Sequence, residues 1–274
     1  MATALHDANT VRRLVTVPAD AGAWFVRRVD RDLLQIGLDE LIELLGGTVD
    51  TAARSSRERF SVHRVARGTT LVHESAHAQT LYIVQSGSFK SVKTAEDGYE
   101  HVLAFAWRRD VIGYDGLSGA HYAFAAIALE DSRVVALPLS SLAALRQRAV
   151  AFDAALQTIV ARQLAHAGEI ARVMAAVAAD ARLARFLVQL SANMAERGQS
   201  PRRLLLRMNR RDIANHLGLA HETISRSLRL LCDRGWLRVD NRDIEILDPA
   251  ELRRCARSTR GAAEESGQAL ACAA

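Results

Sequence analysis

The sequence predicts an α+β protein with three parts: an N-terminal β-roll of the jelly-roll, cupin-like kind, a long dimerisation helix, and a C-terminal winged helix-turn-helix. Three observations predict it. Residues 60–138 break into short apolar runs punctuated by glycines, the pattern of a small roll or barrel. From Leu156 to Val177 apolar residues return about every 3.5 positions, the period of paired helices. Residues 204–247 read as strand, short helix, glycine, second helix and a two-stranded wing.

The elements follow in order. Residues 1–30 form a leader without a clean period, expected to be disordered. The first domain spans 31–148. Asp32 to Leu45, "DLLQIGLDELIELL", has helical spacing, and Gly46-Gly47 ends it. The runs "LYIVQSG", "FKSVKTA", "HVLAFAW" and "RVVALPL" supply strands, with turns at Gly68, Gly87, Gly98, Gly113 and Gly116. "EDGYE" at 96–100 holds Asp-Gly, a hairpin signal. The dimerisation helix covers 149–178. Its seam is Leu156, Val160, Gln163, Ala167, Ile170, Met174 and Val177, in alternating steps of four and three, with Gln163 a polar register residue. An amphipathic helix packed on its own domain is the other reading of the same period. The last domain spans 179–257. It opens with a helix from Ala179 to Arg197, closed by Gly198 and Pro201. "LLLRM" at 204–208 is a short strand, and Asn209 caps a helix with Asp212 in the capping-box position. Gly218 ends that helix, a second runs from Ala220 to Arg234, and "WLRV" and "DIEIL" make the wing about a turn at Asp240–Arg242. Residues 258–274 are an Ala/Gly/Ser/Glu-rich tail, also expected to be disordered.

Composition sets the bounds. The 274 residues suffice for about two domains with real cores. Hydrophobic content of 49% and charge of 24% are those of a soluble globular chain. The net charge of +5 is compatible with a polyanionic partner but is too small to argue one alone. Cys232, Cys255 and Cys272 form no Cys-x-x-Cys pair, so neither a disulfide framework nor a zinc spacing is present. No apolar run reaches the roughly 18–20 residues of a membrane span, and "MATALHDANTVRR" lacks the apolar centre of a signal peptide. A reduced, cytoplasmic protein with no membrane partner is expected.

The chemistry concentrates in "GLAHETISRSLRLLCDRGWL", Gly218 to Leu237. Glu222, Ser225, Arg226 and Arg229 stand at i, i+3, i+4 and i+7, on one face, while Ile224, Leu228 and Leu231 line another. A solvated helix face would explain Glu222 and Arg226 as an i,i+4 pair. Helix, glycine turn, helix and wing together argue instead for double-stranded DNA, because the second helix of such a motif enters the major groove. There Glu accepts from cytosine, Arg donates twice to guanine and Ser serves either. Glu222, Ser225, Arg226 and His221 are therefore the expected base readers. Arg210, Arg211, Arg229, Arg234 and Arg242 suit phosphates.

"RDIANHLGLAHETISRSLRLLCDRGWL" resembles the helix-turn-helix of the CRP/FNR family of bacterial transcription regulators, in the branch with Glu-x-x-Ser-Arg on its recognition helix. The resemblance runs from about Asp32 to Leu252, and "LYIVQSGSFKSVKTAEDGYEHVLAFAWRRDVIGYDGLSG" looks like the family's β-roll. It implies a homodimeric activator or repressor, a palindrome like TTGAT-N4-ATCAA, and contact with RNA polymerase through the hairpin around Glu96–Tyr99. Two positions depart from the pattern. Ala220 stands where Ser or Thr commonly caps the recognition helix, and His221 leaves the outermost base preference unset.

The roll departs further. Members that bind cyclic AMP have a Glu and an Arg-Ser pair in the segment matching "GYDGLSGAHYAFAAI". Here Tyr114 and Phe124-Ala125 stand instead, and an apolar pair cannot neutralise a phosphate, so cyclic AMP is not expected. Members with an oxygen-labile 4Fe–4S cluster hold it by four cysteines. Residues 1–231 contain none, with Val135 at the expected roll ligand, so no cluster is expected. Haem, which other relatives use to sense gases, stays an open alternative with His63, His73, His77, His101 and His121 as candidate ligands; a roll that binds nothing is another. Cys232 reads as a redox switch or as a small buried residue. A cupin-like metal enzyme is the rival class, but "HES" at 73–75 and "HAQ" at 77–79 do not form its His-x-His set, and no nucleophile–base pair is visible.

Overall fold

The computed structural model describes residues 34–174 and 178–258, and of 169–174 the backbone only. The expected leader, the tail from 259 and Val177 lie outside the described residues. The chain opens with β1 (Leu34–Gly37) and α1 (Leu38–Leu45), then α2 (Thr51–Ser55) and nine roll elements: β2 (Arg59–Val65), β3 (Thr70–Val72), β4 (Thr80–Ser86), β5 (Ser88–Thr94), β6 (Glu100–Trp107), β7 (Val111–Ile112), a 3-10 turn (Tyr114–Leu117), β8 (Ala125–Ala128) and β9 (Ser132–Pro138). Helices α3 (Leu139–Arg148), α4 (Val150–Met174) and α5 (Ala179–Glu196) follow. The C-terminal module is β10 (Arg203–Leu205), α6 (Arg210–His216), α7 (His221–Asp233), β11 (Leu237–Asp240), β12 (Asp243–Ile246) and α8 (Pro249–Arg257).

One expected helix begins late. Residues 34–37 are not helical but pair antiparallel with β2, Leu34 opposite Val62 and Gly37 opposite Arg59. Gly37 sits in extended backbone, and its N–H donates to the Glu40 carboxylate at 2.7 Å, which starts the helix at Leu38. The apolar spacing of this stretch fits a strand followed by a helix as well as one long helix.

Two antiparallel sheets build the roll, in the orders β1-β2-β9-β4-β7 and β3-β8-β5-β6. Val84, Phe89, Ala106, Ala126 and Val134 meet between them. Strand alternation then sends neighbouring residues outward on both sides. Leu81, Ile83, Val135 and Leu137 pack against α1, α3 and α4. Val92, Val102 and Phe105 join the core of the C-terminal module. The β4–β5 turn requires glycine: Gly87 has φ +90°, and a Cβ there would stand 2.8 Å from Ser132 Cα.

Helix α4 corrects the expected seam. Leu156 is 4% exposed and is buried with Phe152, Ala155 and Ile159 against the roll and α1. Val160 is half-buried at the same cluster. Gln163 grips β7: its Nε2 donates to Val111 O at 3.0 Å, and Val111 N–H donates to its Oε1 at 3.1 Å. These three seam residues are thus used within the chain, because a period near 3.5 cannot tell the helix's own domain from a partner. The side chains of Ile170 and Met174 lie outside the described residues. The outward face carries Ala161, Ala165 and Leu164, the last 72% exposed.

Candidate nucleic-acid interface

Helix α6 starts as its sequence dictates. Asp212 N–H donates to Asn209 Oδ1 at 2.8 Å, and Asn209 N–H donates to Asp212 Oδ2 at 3.2 Å, a reciprocal cap. Gly218, at φ +61°, turns the chain into α7. Ile224, Leu228 and Leu231 are 0%, 4% and 0% exposed and lock α7 onto the module. Roughly 1.5–3 kcal/mol of apolar burial for each fixes which face remains outside.

That outer face carries His221, Glu222, Arg226 and Arg229, all exposed, and half-buried Ser225. Three details refine the expectation. Arg226 Nη2 donates to Thr223 Oγ1 at 3.2 Å, and among the described residues no ion pair joins it to Glu222, so Glu222 keeps its acceptors open. Thr223, which the sequence reading passed over, steadies the guanidinium; its i,i+3 spacing from Arg226 was the available signal. Ser225 Oγ donates to His221 O at 3.3 Å, so that hydroxyl must turn to meet a base.

The expected phosphate contacts divide. Arg211 is exposed, and Arg210 and Arg242 are half-buried. Arg229 lies 4.0 Å from Asp233, both well exposed, a loose pair that a phosphate can displace. Arg234 stacks on Trp236, its guanidinium carbon 5.2 Å from the ring centroid. That contact ties it to the start of the wing. Burial together with Asp233 pushes the Cys232 thiol above the ordinary value, which disfavours the reactive thiolate. Ala220 has the extended backbone of a cap but makes no side-chain capping bond.

A cavity of about 430 Å³ lies behind this module, walled by sheet β3-β8-β5-β6, α4 and α5. Phe105, Phe124, Ala125, Tyr114 and Phe186 line it, with Gln163, His166 and His216 among its polar groups. The five histidines expected as haem ligands do not line it. The segment matching a phosphate cradle is closed on itself: Ala123 N–H donates to the Asp115 carboxylate at 2.5 Å, which places an anion where a phosphate would need donors. Among the described residues no group of three or more His, Cys, Asp or Glu could hold a metal ion, and no helix is long and apolar enough to cross a membrane.

Comparison with known proteins agrees with this geometry. Residues 181–255 match a Crp-like helix-turn-helix domain, and residues 62–149 match a cyclic nucleotide-binding domain. The fumarate and nitrate reduction regulatory protein of Escherichia coli strain K12 is 32% identical over 199 residues, 73% of this chain and 80% of the relative. Its counterpart in Vibrio cholerae serotype O1 is 34% identical over 188 residues, 69% and 75% of the two chains. The solved structure of FixK2 from Bradyrhizobium japonicum superposes with a TM-score of 0.65 at 28% identity, over 73% of this chain and 98% of that one. A reading helix with its acidic, hydroxyl and guanidinium side chains outward, behind a capped first helix and carried beside a β-roll, together with these identities, makes this chain a member of the CRP/FNR family of DNA-binding transcription regulators.

Proposed function

We propose that the protein binds a palindromic operator as a homodimer, each α7 reading one half of a site like TTGAT-N4-ATCAA, and that it controls transcription in the cytoplasm by recruiting or blocking RNA polymerase. The observation that carries this is the exposed face of α7, with Glu222, Ser225 and Arg226 in the order of the family's recognition helix. Arg210, Arg211, Arg229 and Arg242 anchor phosphates and set orientation. The outward face of α4 around Leu164 supplies the dimer contact. The β5–β6 hairpin, with Tyr99 54% exposed, offers itself to polymerase. The test is a titration of a labelled palindrome and of a scrambled duplex with the full chain, alongside sedimentation. Equal affinity for the two duplexes would end the reading.

A second reading adds an effector in the roll, and the 430 Å³ cavity favours it. Its walls are largely apolar but also carry Lys93, Asp115 and His166, which suits an apolar molecule with a polar group. Cyclic AMP does not fit against the Asp115 carboxylate and the Phe124-Ala125 pair. A 4Fe–4S cluster does not fit a chain whose first cysteine is Cys232. Haem finds none of the five expected histidines in the cavity. Protein purified in air should bind its operator as tightly as protein purified without oxygen. A brown anaerobic sample with stoichiometric iron and tighter binding would refute that.

A further inference from the structure

We infer that Lys90 is a positioning residue for DNA recognition: through Asp212 it fixes α6, and with it the reading helix α7, against β5 and β6 of the roll. The inference rests on the operator reading above. It starts from an edge. In the order β3-β8-β5-β6, strand β6 has no strand on its outer side among the described residues, so its backbone groups there need other partners. Helix α6 provides them. Val102 N–H donates to Asn215 Oδ1 at 2.6 Å, Asn215 Nδ2 donates to Glu100 O, and Val102 O lies 3.1 Å from His216 Nδ1. Lys90 Nζ, from the neighbouring β5, meets Asp212 Oδ1 at 2.8 Å, with the two side chains only 16% and 8% exposed. The other oxygen of the same carboxylate closes the α6 cap on Asn209 N–H. One buried group therefore joins the start of the helix to the sheet.

The faces of α6 explain why this reaches the DNA. Asp212, Asn215 and His216 stand at i, i+3 and i+4 and face the roll. Ile213, Ala214 and Leu217 face the other way and share a core with Ile224, Leu228 and Leu231 of α7. Helix α6 is thus a packed spacer between the sheet and the reading helix, and a shift of its start moves α7 as a body. Glu222, Arg226 and Arg229 remain exposed, so the clasped arrangement leaves the reading face open. Arg197 at the α5 C-terminus pairs with Asp110 of the β6–β7 connection at 3.1 Å, away from α6, so the contacts that set the tilt of α6 on this sheet are Lys90–Asp212 and those of Asn215 and His216.

Two half-sites a fixed number of base pairs apart demand a fixed separation of the two reading helices. Loosening the clasp should therefore cost spacing selectivity, not only affinity. Lys90→Met keeps most of the aliphatic stem and removes the charge, leaving the Asp212 carboxylate buried without its cation. Lys90→Arg keeps the charge. Affinity would be measured for palindromes with the four-base spacer and with spacers one base shorter and longer, with hydrogen exchange followed at the Val102 amide. Lys90→Met should weaken the four-base site by about tenfold or more, narrow the ratio between spacers, and speed exchange at Val102; Lys90→Arg should restore most of each. Unchanged binding, loss in equal proportion on every spacer, or tighter binding would each overturn the inference. If the wild-type chain itself ignored spacer length, the palindrome reading would fail, and the clasp would stand or fall on exchange at Val102 alone.

Discussion

Ala220→Ser tests the account of the reading helix most directly. Ala220 occupies the cap position of α7 with φ −70° and ψ 147°, already the backbone a capping residue uses, and its side chain is exposed. A serine there needs no rearrangement. Its Oγ would accept from the N–H of Glu222 or Thr223, donors that the first turn of a helix otherwise leaves without intrahelical partners. The full gain for such a cap is about 1 kcal/mol. Thr223 N–H already leans on Ala220 O at 3.0 Å, so part of that gain is spent. We expect about 0.5–1 kcal/mol, which for a chain of this size corresponds to a rise in Tm of about 1–4 °C.

The control is the neighbouring helix. Asn209→Ala removes a capping bond seen at 2.8 Å and should lower Tm by a similar or larger amount. Both variants would be melted in the same buffer without DNA and followed by circular dichroism. Opposite shifts support the contrast between a capped α6 and an uncapped α7. An Ala220→Ser protein that melts with or below the wild type, while Asn209→Ala melts lower, would refute the claim that the first turn of α7 lacks a cap in solution.

Three further outcomes follow from the same geometry. Arg226→Ala should lose about 1–3 kcal/mol of discrimination at one base pair of each half-site, whereas Arg210→Ala should weaken all duplexes alike and flatten the salt dependence, both read by titration at several salt concentrations. Leu164→Glu should give a folded monomer in sedimentation, because Leu164 is 72% exposed, whereas Leu156→Glu, at 4% exposed, should fail to fold at all, the burial of a charge costing several kcal/mol; a soluble, folded Leu156→Glu dimer would contradict the placement of α4. Burial holds the His216 imidazole below its ordinary 6.5, so the unfolded chain takes up the proton first as pH falls. Stability should then be full above about 6.5 and decline below it, and His216→Gln should remove that part of the slope between pH 7.5 and about 5; identical slopes for the two proteins would show the ring to be freely protonated.

What could be read from the sequence was what the chain decides locally. The Asn209–Asp212 cap, the Gly218 turn and the Ile224, Leu228, Leu231 stripe are each set within a few residues, and the structure has them. Helix α8 opens with Asp248-Pro249, an equally local start signal that the reading overlooked. The misses lie where a pattern has two physical solutions. Apolar spacing in residues 34–45 serves a strand plus helix as well as a helix, and the period from Leu156 serves the roll as well as a second subunit. A third limit concerns the cavity: residue type alone points to His63, His73, His77, His101 and His121, whereas His166 and His216 reach the cavity only through the packing of α4 and α6.

Asp212 shows how much such a local reading leaves out. Its cap on Asn209 is visible three residues away, yet its partner Lys90 is 122 positions distant. A buried ion pair is weak evidence for stability, since desolvation offsets most of the attraction. What it can supply is a preferred arrangement, because a carboxylate this buried tolerates few positions away from its cation. The apolar contacts of Val92, Val102 and Phe105 with the module would permit several tilts of α6 at similar cost. The Lys90 ammonium and the two groups of Asn215 are directional and select one. On the proposed operator reading, affinity for DNA would reside in the arginines of α6, α7 and the wing, and the geometry that lets two copies meet one operator would reside in a strand edge of the roll. Substitutions on β5 and β6 should accordingly appear as DNA-binding variants without touching DNA, and those that spare Lys90 and the Val102 amide should not.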